Sequence, residues 1–286
     1  MFNIQSYLNK RLGIIDDALN AFLPRLGEKP ALLHKAMRYS VFTGGKRIRP
    51  ILCLAACEAA GANYRKAIKP ACAIELLHTY TLIHDDLPCM DDDDYRRGKP
   101  TSHKVFGEAI AVLTGDALQA EAFNLASKTM PPAPYSSTSI VSELASAAGS
   151  HGVVGGQIAD ILANGKKISK KEIEYIHLNK TASLFIAAIK MGAIAGGADK
   201  KNLRALSTYA VNIGMAFQIT DDILDADEAK GQAMDETSCI GIYNRDEAFE
   251  ICVSHIGKAK SAIASIHPRF TAPLMCIADK ILRRKK

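Results

Sequence analysis

The sequence predicts one all-α domain over residues 1–286, on three observations. Only 6% of the 286 residues are aromatic, Trp is absent, and Ala and Leu fill long stretches, which is the composition of helix formers. Apolar residues recur every three or four positions, the spacing of a buried helical face. No stretch alternates apolar and polar residues long enough to build a sheet, and neither a repeat period nor a compelling boundary divides the chain. With 48% apolar and 23% charged residues, the chain can bury a substantial core.

The elements follow in order. Residues 1–23 carry Ile4, Tyr7, Leu8, Leu12, Ile15, Leu19 and Phe22 at helical spacing until Pro24 ends the pattern. A second helix covers 31–42 and stops at Thr43-Gly44-Gly45. The turn GGKRIRP at 44–50 lets backbone approach a ligand while Lys46, Arg47 and Arg49 supply positive charge, and it leads into a buried helix over 51–60. The next helix runs from 69 to 86, and others are expected over 106–128 and within 138–162, with MPPAPYSS between them as a loop. Gly155 and Gly156 suggest close helix contact, and Gln157 and Asp160 share a face. Ser169 and Glu172 form a capping box that starts a helix carrying Lys180 and Thr181 and closing at Gly196-Gly197. A long helix over 203–224 follows, then a polar stretch, then helical spacing over 246–266 and the basic tail Arg283, Arg284, Lys285 and Lys286.

Charge is the second thread. A formal +6 coexists with two acidic clusters, so the basic residues gather elsewhere. That asymmetry suits an anionic small molecule, whereas the basic stripe interleaved with aromatics that single-stranded nucleic acid requires is missing. Seven cysteines at 53, 57, 72, 89, 239, 252 and 276 form no CxxC and read as reduced thiols of a cytoplasmic protein. The N-terminal MFNIQSYLNKR has no secretory apolar core, and no run reaches the roughly 18 uncharged apolar residues of a membrane span.

The densest signal is LIHDDLPCMDDDDYRRGKPTSH at 82–103, in which Asp85, Asp86, Asp91, Asp92, Asp93 and Asp94 are followed at once by Arg96 and Arg97. Carboxylates that collect hard divalent cations, beside guanidiniums that fork onto phosphate oxygens, are what holding a polyphosphate through metal ions requires. At about 100° per residue His78, Thr81 and Asp85 fall on one helical face. Asp91 would point about 120° away from Asp85 in a continued helix. Pro88 breaks the helix, so a loop is expected to return Asp91 toward the first pair. A second DDxxD at Asp221, Asp222 and Asp225 carries no such break, and Phe217 and Gln218 stand one turn before it. Two helices ending in carboxylates can therefore face each other across a cavity. An EF-hand reading fails, since counting from Asp91 its sixth and twelfth positions are Arg96 and Ser102 rather than Gly and Glu.

These motifs in this order resemble the short-chain trans-isoprenyl diphosphate synthases, bacterial farnesyl and plant-type geranylgeranyl diphosphate synthases among them. The resemblance rests on GGKRIRP at 44–50, HTYTLIHDDLPCMDDDDYRRGKPTSH at 78–103, GDAL at 115–118, GGQIAD at 155–160, KTASL at 180–184 and FQITDDILD at 217–225. It implies an isoprenoid-synthase-type helical bundle around a deep central cavity, usually a homodimer. It also implies Mg²⁺, three ions per site, bridging Asp85, Asp86, Asp91, Asp221, Asp222 and Asp225 to the diphosphate of an allylic substrate. By position, Lys46, Arg49, His78 and Arg97 resemble ligands of isopentenyl diphosphate, and Arg96 and Lys180 resemble ligands of the allylic diphosphate. Lys180, Thr181, Gln218 and Arg96 resemble the catalytic groups, with Thr181 and Gln218 near the developing cation.

The same resemblance puts Phe217, Thr81 and Tyr80 in the chain pocket. A bulky aromatic five residues before the first aspartate resembles the farnesyl synthases, so a C15 product is expected; the alternatives are C20, C10 and a non-catalytic subunit of a heteromeric synthase. Helical projection alone places Thr81 more directly beneath Asp85 than Tyr80. One departure is Glu236, which stands where the family usually has a phosphate-binding lysine, with Lys230 or the basic tail available to compensate.

Overall fold

The computed structural model describes residues 2–229 and 238–284, so Lys230 and Glu236 lie outside the described residues. Helix α1 (Ile4–Phe22) opens at Asn3, whose side chain accepts from the Ser6 N–H. It is followed by α2 (Ala31–Val41), α3 (Ile48–Ala59) and α4 (Ile68–Asp85). The only strands among the described residues are β1 (Tyr95–Arg96) and β2 (Lys99–Pro100), an antiparallel hairpin in the acidic loop. Then come α5 (Ser102–Phe106), α6 (Glu108–Ser127), α7 (Ser137–Ala148), α8 (Val153–Ala163) and α9 (Lys170–Ile176). A π-helical turn, His177–Ala182, joins α9 to α10 (Ser183–Gly196). The chain ends with α11 (Lys200–Ala229), α12 (Arg245–Ala262) and α13 (Pro268–Leu282). The protein is all-α, as expected.

Buried faces explain the arrangement. Helix α10 buries residues all round, Phe185, Ile189, Met191 and Ile194 among them, so it runs through the middle, with α3, α4, α7 and α11 packed against it. Lys170–Gly196 is one continuous helical run long and apolar enough, by length and composition, to cross a membrane; 72% of its apolar window is buried inside the fold, the behaviour of a core helix. Helices α4 and α6 pack together, as do α11 and α12, and α4 and α11 each also pack on α10.

Several boundaries differ from expectation, each for a local reason. The helix predicted over 106–128 is broken at Gly107, which adopts φ +85°. The segment 138–162 is two helices, separated by a turn between Gly149 and Gly152. Helix α11 outruns its predicted end at 224 and runs on to Ala229, with Asp225 and Asp227 exposed along it. Beyond 266 the spacing predicts only a basic tail, yet α13 forms there: Pro268 sits at its first position, where no donor is needed, and the His267 side chain caps it.

Candidate active site

The first acidic wall is a helix end turned back on itself. Helix α4 stops at Asp85, and the Asp91 N–H donates to the Asp85 carbonyl at 2.9 Å, so the loop through Pro88 returns Asp91 to the first aspartate as its spacing predicts. Burial pushes the Asp85 carboxyl up to about 6 against the pull of Lys180, with Asp91 adding to the rise. Asp91 is raised as well, by burial first and by Asp93 and Asp160 next, again against Lys180. Asp86 is raised by burial too, but it is ion-paired to Arg96, which opposes the rise and whose other arm holds Asp93 at 2.8 Å. Asp93 and Asp94 fasten the loop: the Thr101 hydroxyl donates to the Asp93 carbonyl and Lys104 pairs with Asp94 at 2.6 Å. Asp92, Asp94 and His103 also bring one ligand atom each within 4.8 Å of one another.

The second wall is an unbroken helix. Asp221 is half-buried and raised to about 6 by burial, with Arg284 opposing and Asp225 adding to the rise. Arg284 pairs with Asp221 and places its guanidinium 4.7 Å from the Phe217 ring centre, so this residue of the basic tail reaches the site. Asp222 faces elsewhere. Its Oδ1 accepts from Gln218 Nε2 at 2.7 Å, its Oδ2 accepts from the Cys239 N–H at 2.7 Å, and His177 Nε2 stands 3.3 Å away. Burial opposes its charge, but His177, Cys239 and Gln218 together hold it below the usual carboxylate range. Gln218 Oε1 in turn accepts from the Thr181 hydroxyl at 2.5 Å. Asp222, Gln218 and Thr181 thus form one chain of hydrogen bonds running from α11 to the π turn.

The π turn explains why Lys180 is positioned where a regular helix would not put it. Gly156 of α8 abuts it so closely that a Cβ there would meet the Lys180 backbone nitrogen at 2.1 Å. Lys180 bonds Asp160 of α8 and feels both Asp85 and Asp91; burial opposes its charge, and these three carboxylates raise its pKa nonetheless. Periodicity cannot reveal a single π turn, since its residues keep helical dihedrals.

The basic residues sort into two jobs. Arg47, in the left-handed region at φ +48°, is buried and spent on Glu75 at 2.7 Å, Asp16 at 3.0 Å and the Val41 carbonyl. Arg49 stays available: it donates to His78 Nε2 at 3.2 Å, its guanidinium lies 4.6 Å from the Phe185 ring centre and 5.9 Å from that of Phe217, and its Nε has no partner. Burial lowers Arg49 to about 10, and it holds His78 well below its ordinary value together with the nearby arginines. His78 is therefore neutral, its Nε2 accepting and its proton on Nδ1. Arg97, at φ +54°, donates to the Gly44 carbonyl and lies over Gly45, where a Cβ would meet its Nη1 at 2.6 Å. Lys46 is exposed beside it.

Of the residues expected to line a chain pocket, Tyr80 is half-buried and stacks edge-on against His84 at 4.9 Å, while Thr81 is buried and donates to the His78 carbonyl. Phe217 packs on Phe185 at 4.8 Å. The structure thus brings Asp85, Asp91 and Lys180 together, and separately Arg49, His78 and the Phe185–Phe217 pair. It occupies Asp86, Asp222 and Arg96 with protein partners. Sequence reading misses His177, Phe185 and Cys239 as parts of the site, while it marks Asp160 by the face it shares with Gln157 and Arg284 as part of the basic tail.

Comparison with known proteins agrees with this fold. The family model described as Polyprenyl synthetase matches residues 30–237. The chain is 47% identical over 232 residues to a farnesyl diphosphate synthase of Geobacillus stearothermophilus, covering 80% of this chain and 77% of that protein. It is 40% identical over 294 residues to a chloroplastic geranylgeranyl pyrophosphate synthase of Capsicum annuum, covering 99% and 79%. A crystal structure of an FPP/GFPP synthase from Zymomonas mobilis superposes with a TM-score of 0.89 at 36% identity, over 98% of this chain and 99% of that one. The chain belongs to the polyprenyl synthetase family and is an enzyme of its trans-prenyltransferase type.

Proposed function

We propose that this enzyme condenses isopentenyl diphosphate with dimethylallyl and geranyl diphosphate and stops at farnesyl diphosphate, C15. The observation that carries the reading is the pairing of two raised carboxylate groups, around Asp85 and around Asp221, with Lys180 set against the first. Carboxylates raised by burial carry charge that no protein partner fully compensates. Hard oxygen donors fit Mg²⁺, so Asp85, Asp91 and Asp221, together with Asp225 one helical turn beyond Asp221, are the residues that would hold it. Bound Mg²⁺ supplies neutralisation of the diphosphate's negative charge as it leaves.

The chain's own groups do the rest. Lys180, kept protonated by Asp160, Asp85 and Asp91, adds a fixed positive charge where the allylic diphosphate departs. Arg96 reaches that diphosphate by exchanging its hold on Asp86 and Asp93. Arg49 and Arg97, both lowered by burial, with Lys46 and neutral His78, form a cationic recess for the diphosphate of isopentenyl diphosphate, so the second substrate is held as an anion beside the first. Once the allylic carbon–oxygen bond ionises, the Thr181 hydroxyl oxygen, held by Gln218, stands as a dipole toward the positive charge. The terminal double bond attacks and proton loss completes the step. Positioning and charge carry the catalysis, and no protein nucleophile takes part.

The product length rests on Tyr80, one helical turn and a residue before Asp85, with its ring braced by His84. Incubating the pure enzyme with isopentenyl diphosphate, Mg²⁺ and each allylic primer tests the proposal. C15 is expected from dimethylallyl and geranyl primers, with little extension of farnesyl diphosphate. Dominant C20 or C10 overturns the length, and no turnover combined with activation of a partner synthase supports the non-catalytic reading. Tyr80→Ala is expected to lengthen the products; an unchanged distribution sinks Tyr80 as the stop. The same proposal includes a cytoplasmic homodimer, supported by the resemblance, by free thiols at all seven cysteines and by Val112 and Leu113 exposed on α6, and checked by the mass in solution.

A further inference from the structure

Helix α8 has two faces. Inward, Gly156 abuts the π turn and Asp160 binds Lys180. Outward, Val154, Ile158, Ile161 and Leu162 are 42%, 54%, 46% and 61% exposed. Their spacing of i, i+4, i+7 and i+8 puts them within an arc of about 100°. Helix α9, packed beside α8, adds exposed Tyr175, and the π turn that follows it adds exposed Leu178. Scattered apolar residues on a surface are ordinary, but a contiguous stripe on neighbouring helices marks an interaction face.

The connection between these helices identifies the partner. Lys166, Lys167, Lys170 and Lys171 are all exposed there, around a single short loop. The exposed acidic groups are fewer: Glu172, spent on its capping box with Ser169, and Glu174. An apolar stripe bordered by lysines is the pattern of a helix lying in the interface of an anionic bilayer, with the apolar side chains among the acyl chains and the ammonium groups at the headgroups. A second copy of this chain fits poorly, because a two-fold contact through this face would set the lysines of one copy against those of the other.

We propose that the α8–α9 face docks peripherally on anionic lipid surfaces, resting Val154, Ile158, Ile161 and Leu162 in the interface under the lysine cluster. This does not depend on the reaction catalysed. It sets the lipid beside α8, the helix whose inner face carries Asp160 and so fixes Lys180, and leaves those two residues untouched.

Co-sedimentation of the full chain with vesicles of phosphatidylglycerol and phosphatidylcholine, against vesicles of phosphatidylcholine alone, tests it. The wild type is expected to partition onto the anionic vesicles at least tenfold better, and to lose most of that binding in high salt. Lys166→Ala with Lys167→Ala is expected to cost roughly tenfold on anionic vesicles only. Ile158→Ser with Leu162→Ser is expected to cost roughly tenfold or more on the same vesicles, while the unfolding temperature stays unchanged because these side chains are exposed in the fold. Absence of wild-type binding, equal binding to both vesicle types, or binding untouched by the Ile158/Leu162 pair overturns the proposal. So does a solution mass that falls in the Ile158/Leu162 variant, which would make the face a protein interface.

Discussion

The two acidic walls reach a similar electrostatic state by opposite structural routes. At the first, the helix is broken and its end folded back, with Asp85 and Asp91 brought together by one backbone hydrogen bond. At the second, α11 runs on through Asp221, Asp222 and Asp225, and helical geometry alone puts Asp221 and Asp225 on one face. Yet burial raises Asp85 and Asp221 alike to about 6. In each wall the middle aspartate is diverted to scaffolding: Asp86 anchors Arg96, and Asp222 anchors Gln218 and the Cys239 amide. The two acidic motifs therefore divide labour by geometry, with Asp86 and Asp222 committed to protein partners; burial still leaves Asp86 raised beside Arg96, whereas Asp222 is held low by His177, the Cys239 amide and Gln218. The walls differ in their resident cation. Lys180 belongs to the core run and is clamped by Asp160, whereas Arg284 arrives from the chain's last helix.

The largest effect should come from removing an under-compensated carboxylate. Asp85→Asn and Asp221→Asn are each expected to lower turnover about a thousandfold with folding intact, read from initial rates and the circular dichroism spectrum. An Asp221→Asn enzyme of normal rate would mean that the second wall is not catalytic. Next in size is the clamp: Asp160→Asn, which loosens Lys180, is expected to cost about ten- to a hundredfold in kcat/KM. Asp222→Asn probes scaffolding instead. It leaves the buried Cys239 amide and Gln218 poorly matched and is expected to destabilise the fold by about 1–3 kcal/mol in denaturant titration.

The sequence displayed the acidic walls, the basic turn and most helices because each has a local cause: a proline at 88, glycines at 44 and 45, a capping box at Ser169 and Glu172, and apolar spacing throughout. The tail was harder. Its prolines disguised α13, and nothing local ties Arg284 to an aspartate 63 residues earlier. Tertiary pairing decided Asp86, Asp222 and Arg96 too. Three aspartates of one motif look equivalent in sequence, and only their neighbours, Arg96 for one and Cys239 for another, separate the scaffold from the site.

Smaller effects sharpen the contrast between the resident cations. Arg284→Ala removes a counterion that any metal at Asp221 must displace, so the Mg²⁺ concentration for half-maximal rate is expected to fall a few-fold; a rise would show that Arg284 assists binding. Finally, Asp85 and Asp221 hold protons in the fold at a pH where the unfolded chain has released them. Their burial therefore weakens the metal-free fold above about pH 6, and the penalty fades as pH drops through 6 toward the ordinary aspartate range. The unfolding temperature of metal-free protein is expected to rise from pH 7 to pH 5, and added Mg²⁺ to flatten that slope.

The claim that both walls grip one diphosphate through metal is tested most directly by calorimetric binding of an unreactive thio-analogue of geranyl diphosphate, with and without Mg²⁺. Wild type, Asp85→Asn and Asp221→Asn are compared. If the account holds, Mg²⁺ tightens binding strongly in the wild type, and either single substitution abolishes most of that gain while metal-free affinity stays the same. A metal-dependent gain that survives intact in either variant would contradict it.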